Sequence, residues 1–235
     1  MTDFGAAIST AFALVVYLDR DLSEVVLLSL KVSISAVIIA SIIGLPIGAA
    51  LALYRFPGRT IFIVIVNAFM GLPPVVIGLV VYLLLSRAGP FGVFGLLFTP
   101  TAMIIAQVLL ITPLIAALAR QVMETLWLEY EEQLRSLGTT PLRALGALLW
   151  DGRYSLMTAV LAGFGRAIAE VGAVMIVGGN IDHVTRVMTT SIALEVSKGN
   201  LALALGLGII LVVLSVLVNG LVFFLRGNNR QGVTP

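Results

Sequence analysis

The chain has no cysteine and only one histidine, His183. The first absence excludes disulfides, thiolate nucleophiles and sulfur-ligated metals. The second leaves no H-E-x-x-H pair, and His183, next to Asp182 in a polar loop, reads as a solvated turn residue rather than a ligand. No G-x-S-x-G or G-x-x-x-x-G-K-[ST] stretch occurs, so the chain lacks a hydrolase nucleophile elbow and a loop to cradle ATP phosphates. Charge is also scarce. Asp, Glu, Lys and Arg make up 11% of the 235 residues, and hydrophobic residues 60%, against roughly 25% and 45–50% in soluble domains. That balance excludes a soluble domain and selects an all-α integral membrane protein. The 14 basic residues are dispersed and the net charge is only +2, so nothing tracks a phosphate backbone and nucleic acid is excluded as a partner.

What is present is long intervals without charge. A span needs about 20 predominantly apolar residues, and five intervals qualify: 25–54, interrupted only by Lys31; 60–86; 88–119, whose opening GPFGVFGLLFTP reads as a turn-rich loop; 154–180, which carries Arg166 and Glu170; and 199–225. Residues 4–18 are apolar too, but 15 residues are short for a span and MTD lacks the basic start of a signal peptide, so residues 1–20 are read as an interfacial helix, with a sixth span as the alternative. The domain reading is thus one membrane domain over 21–226, with a tail at 227–235.

Lys and Arg orient the spans. With the last end cytoplasmic, the inside segments hold Arg55, Arg59, Arg120, Arg135, Arg143, Arg153, Arg226 and Arg230. The outside ones hold fewer: Arg20, Lys31, Arg87, Arg186 and Lys198. The longest inside segment, about 121–153, carries Val122, Leu126, Tyr130, Leu134 and Leu137 at helical spacing, with Glu124, Glu131, Glu132 and Arg135 off that ridge. This helix is expected to end at Gly138, a residue suited to a left-handed cap. Thr140 and Pro141 then supply N-cap and first position for a short helix to about Leu149. Its Leu142, Leu145, Leu148 and Leu149 fit either a bilayer-surface connector or a docking element, and periodicity leaves both open.

Polar groups at depth are costly against lipid, so they should face protein or a water-filled path. The candidates are Asn67, Gln107, Thr112, Arg166, Glu170 and Asn180. Helical four-residue spacing would place Arg166 and Glu170 one turn apart, either as a mutual ion pair or with Arg166 meeting an anion. Pro73, Pro74 and Pro113 would kink their spans. Outside the fourth span, Val187, Ile192 and Val196 mark a short helix whose Thr189 and Thr190 read as solvated start residues.

The stretch EQLRSLGTTP, residues 132–141, resembles the cytoplasmic loop of ABC importer permeases, in which a Glu, two Ala, two variable residues, often a Leu, and a Gly follow one another. Glu132, Leu137 and Gly138 match. Gln133 and Leu134 replace the alanines, and Asp151 stands where the pattern usually ends in Pro. LKVSISAVIIASIIGLPIGAALALYRFPGR, GLPPVVIGLVVYLLLSRAGPFGVFGLLFTP and GFGRAIAEVGAVMIVGGNIDHVTRVMTTSIALEVSKGN resemble the oxyanion branch of these permeases, most closely the tungstate and next the molybdate and sulfate subfamilies, over 30 to about 225.

The resemblance implies a type I ABC importer permease core of about five transmembrane helices in a prokaryotic cytoplasmic (inner) membrane. It also implies a cytoplasmic coupling helix near 138–149, with Glu132, Leu137, Gly138, Thr140, Pro141, Leu142 and Leu145 at the ATPase contact. The implied partners are a second copy, two ATPase subunits holding ATP and Mg, and an external oxyanion-binding protein; this chain itself needs no cofactor. The competing class is a secondary transporter or channel, which needs no ATPase.

Overall fold

The structure, a computed structural model, describes Gly5, Ile8 and residues 20–228. The proposed interfacial helix at 1–20 falls almost wholly outside the described residues, as does the tail beyond 228. Among the described residues the regular elements are α1 (Arg20–Leu53), α2 (Arg59–Met70), α3 (Pro74–Leu85), a 3-10 turn (Gly92–Phe94), α4 (Pro100–Ser136), α5 (Pro141–Asp151), α6 (Arg153–Ile168), α7 (Gly172–Gly178), α8 (Met188–Ser197) and α9 (Leu201–Asn228).

Three of these, α1, α4 and α9, are each long and apolar enough to cross a membrane alone. The second and fourth intervals are not continuous spans: α2 and α3 meet at 99°, and α6 and α7 at 57°. Five spans result when each bent pair counts as one. Pro113 lies inside α4 without ending it, as does Pro46 in α1. The amphipathic segment after the third span is one helix with it: α4 has 37 residues, about 55 Å at 1.5 Å per residue, well beyond the hydrocarbon core of about 30 Å.

The α1–α4 pair is the spine, and small residues set its closeness. A Cβ at Gly48 would lie 2.4 Å from the Ala116 carbonyl oxygen, and one at Gly44 would lie 3.0 Å from that of Thr112. The two glycines, four apart, therefore let the backbones approach as small residues do in membrane bundles. Three buried clusters stack along the spine. One end holds Val32, Met103 and Val177, the middle Ile111, Ile115 and Phe164, and the other end Met123, Trp127 and Leu148. Outward faces are apolar. No residue of α2 is buried, and α9 shows Val212, Val216 and Leu217 to the outside.

Candidate substrate pathway and coupling surface

The opening between α6 and α7 is where the chain places its buried polar groups. α6 ends at Ile168, so the i→i+4 geometry expected of Arg166 and Glu170 does not exist, and no Arg166–Glu170 ion pair forms. Glu170 is 6% exposed. Its Oε1 accepts the Ala173 backbone N–H at 3.0 Å, capping the start of α7 where negative charge is favoured. Carbonyls at the break also accept hydrogen bonds from side chains elsewhere. Gln107 Nε2 on α4 donates to Ala167 O at 3.1 Å, and Thr189 Oγ1 on α8 donates to Glu170 O at 2.8 Å. This is how irregular backbone is tolerated at membrane depth. Thr189 and Thr190 are therefore buried, not solvated; Thr190 Oγ1 bonds Val187.

Arg166 stands on the opposite side. It is exposed, on a face of α6 that continues through Ala162, Thr158 and Ser155, and it makes no ion pair with any described residue. Asn67 is likewise exposed, on α2. Thr112 turns its hydroxyl to the Val108 carbonyl at 2.7 Å, satisfied within its own helix. Asn180 adopts φ 50° just after α7, its Oδ1 buried without a partner. The six candidates thus do not form one site. Gln107 and Glu170 share the break, Asn67 and Arg166 face outward, and Thr112 and Asn180 lie apart.

At the far end of α4, Gly138 takes φ 68°, and Thr139 N–H reaches back to Leu134 O at 2.9 Å, a Schellman-type stop. Thr140 then begins α5 in extended geometry with Pro141 at the first position, but its hydroxyl makes no cap bond. The side chains of Pro141 and Leu142 lie outside the described ones. Val122, Leu126, Tyr130, Leu134, Leu145 and Leu149 pack around Trp127 and Leu148, so the ridge holds α5 against α4. Leu137 is the exception, 78% exposed, and Trp150 is exposed too, at 72%. Arg153 lies over the Trp150 ring, 4.6 Å from its centroid. The Asp151 carboxylate raises the pKa of the Tyr130 phenol by its charge and by hydrogen bonding. Glu132 is exposed. Glu124, by contrast, is no solvated charge: it pairs with Arg120 on α4 and with Arg59 on α2 at 3.1 Å, while Arg59 Nε donates to Leu51 O at 2.7 Å.

At the opposite end, the expected short helix is α8. Here His183 Nδ1 lies 2.9 Å from Glu24 Oε2, and Arg186 pairs with Asp182 at 2.6 Å. These groups border a cavity of about 250 Å³ with Ser191 and Glu195. Lys198, by its hydrogen bond first, holds the Glu195 pKa below the usual carboxylate value.

The family described as "Binding-protein-dependent transport system inner membrane component" matches residues 44–230. The chain belongs to this family. A "Probable anion ABC transporter permease protein" of Haloferax volcanii is 40% identical over 85% of this chain and 88% of its own length. A "Tungstate uptake system permease protein TupB" of Peptoclostridium acidaminophilum is 39% identical over 92% and 95%, and the protein of that name in Campylobacter jejuni 36% over 71% and 70%. Sulfate transport permeases match at lower identity. As a multi-pass inner membrane component, this permease needs a route through apolar surroundings. Sequence reasoning missed the Ser155 and Thr158 hydroxyls on the Arg166 face, for which their spacing of eleven and eight residues before Arg166, close to whole helical turns, was the available signal. It also missed Ser29 and Ser33 beside Gln107, visible as two hydroxyls four residues apart inside a span.

Proposed function

We propose that this chain is the membrane-spanning subunit of an ATP-driven importer of a tetrahedral oxyanion, tungstate first and molybdate or sulfate next. The observation that carries the reading is Arg166. It is a cation in the α6–α7 span with no ion-pair partner among the described residues, leading a polar face through Thr158 and Ser155, and an anion is the partner such a group lacks. The tungstate and anion permeases matched over most of their length supply the substrate class.

The protein that delivers the oxyanion meets the end carrying α8. A second copy covers the outward face of α2, where Asn67 sits among Ile61, Val64 and Phe69; an amide there is costly against lipid and inexpensive against another polar subunit surface. A pair of ATPase subunits grips the opposite end, with Leu137 and Trp150 as exposed apolar anchors next to Glu132. Hydrolysis belongs to those subunits, since this chain has no phosphate loop. The Arg-rich end that includes α5 and the end of α9 is cytoplasmic. Closing and opening of the ATPase pair rocks the two permeases, and Arg166 meets the anion as the path opens.

The test is co-expression with the ATPase and the binding protein, followed by ATPase assay in vesicles. Tungstate-loaded binding protein stimulates hydrolysis and Arg166→Ala abolishes the stimulation with the complex intact. Wild-type stimulation in that variant removes the anion-contacting role. An assembled wild-type complex that ignores tungstate, molybdate and sulfate removes the substrate class.

A further inference from the structure

The Glu170 break encloses a small cavity, about 10 Å³, lined in part by Ser29, Ser33, Gln107, Glu170 and Thr189, each no more than 8% exposed. Most nearby donor groups are already engaged, the exceptions being the second N–H of the Gln107 amide and the Ser33 hydroxyl. Gln107 Nε2 is on Ala167 O, the Ala173 N–H is on Glu170 Oε1, the Thr189 hydroxyl is on Glu170 O and the Ser29 hydroxyl is on Val25 O. The acceptors that remain are oxygens: Gln107 Oε1, buried without any partner, the second Glu170 carboxylate oxygen and the Ser33 hydroxyl. No described basic side chain pairs with Glu170.

We propose that this cavity binds one small monovalent cation of the size of sodium. The volume suits one water-sized occupant. A water molecule there satisfies hydrogen bonds but leaves a carboxylate charge buried without a counter-charge, the costly condition that pairing or metal coordination relieves. A sodium ion supplies both, using a hard all-oxygen donor set. A divalent ion is disfavoured because the single carboxylate would leave it with a net positive charge in a buried site. The bound ion ties α1 and α4 to the α6–α7 break. The site is separate from oxyanion transport, and its test reads no transport.

The experiment is thermal unfolding of the full chain in detergent in sodium, potassium or choline chloride at equal ionic strength. Sodium raises the midpoint by a few degrees over choline, saturably, and potassium by less. Glu170→Gln and Ser33→Ala weaken the sodium response at least tenfold in a titration, and Ser33→Ala decides if Glu170→Gln does not fold. Equal midpoints in the three salts, as water in the cavity would give, overturn the proposal. So does a sodium response unchanged in the variants, which places the ion elsewhere.

Discussion

The two broken spans differ in what breaks them. Between α2 and α3 the chain turns by 99° on local covalent constraint: Gly71 and Leu72 bond back to Ala68 and Phe69, Pro73 is extended at φ −62°, and Pro74 opens α3 at a position where its missing N–H costs nothing. Between α6 and α7 no proline intervenes. The 57° turn depends on Glu170, on Gln107 from α4 and on Thr189 from α8, brought together only by the folded bundle. A bend written into the backbone persists wherever the helices go. A bend held by side chains from three elements is conditional, and an element that rearranges during a transport cycle is built the second way.

Glu170→Ala should separate the two most widely. Losing the Ala173 cap and opening a buried void destabilises the protein by about 2–4 kcal/mol, whereas Pro73→Ala costs under about 1 kcal/mol; midpoints of denaturant unfolding in detergent compare them. Next come Gln107→Leu and Thr189→Val. Thr189→Val leaves the Glu170 carbonyl without its hydroxyl donor, at about 1–3 kcal/mol, and Gln107→Leu costs less, about 1 kcal/mol, because the Ala167 carbonyl keeps the Glu170 N–H; the double variant loses less than the sum because both bonds fix the same break, and a double-mutant cycle reads this coupling.

The absence of native cysteine allows a smaller effect to be seen. Spin labels on engineered cysteine pairs across each break should report a broader distance distribution across 169–171 in Gln107→Leu, with the distribution across 71–73 unchanged. Broadening at both breaks would remove the distinction. Smallest is a control at the α8–α9 corner, away from both breaks. The lowered Glu195 pKa means that its contribution is complete above the ordinary carboxylate value and is lost as pH falls through the lowered one. Amide exchange in α8 should quicken at that acidic edge and not between neutral pH and the carboxylate range.

Sequence reasoning found what local chemistry writes. Uncharged intervals located the spans, Pro73 and Pro74 located one break, and Gly138 with Thr140 and Pro141 located the stop and restart around α5, because each signal acts within a few residues. The second break was not legible, since 159–168 keeps an apolar helical pattern despite Gly163 and Gly165 and its end is set by bonds from residues far away in sequence. The expectation that Arg166 and Glu170 sit one turn apart on a continuous helix therefore fails. The Gly44 and Gly48 contact with α4 was also passed over, although small residues four apart signal close packing in membranes. The Glu124 pairing was not legible because its partner Arg59 lies on another helix.

The claim that most needs testing is that Arg166 and Glu170 are separate devices, one facing the path and one holding the break. The double exchange Arg166→Glu with Glu170→Arg tests it most directly, compared with each single exchange for assembly with the ATPase and for uptake of labelled tungstate. A mutual ion pair would survive the exchange and rescue the singles. The account predicts no rescue: the double variant assembles as poorly as Glu170→Arg, which buries an arginine at the α7 start, and it transports no tungstate. An assembled double variant with near wild-type uptake would contradict it.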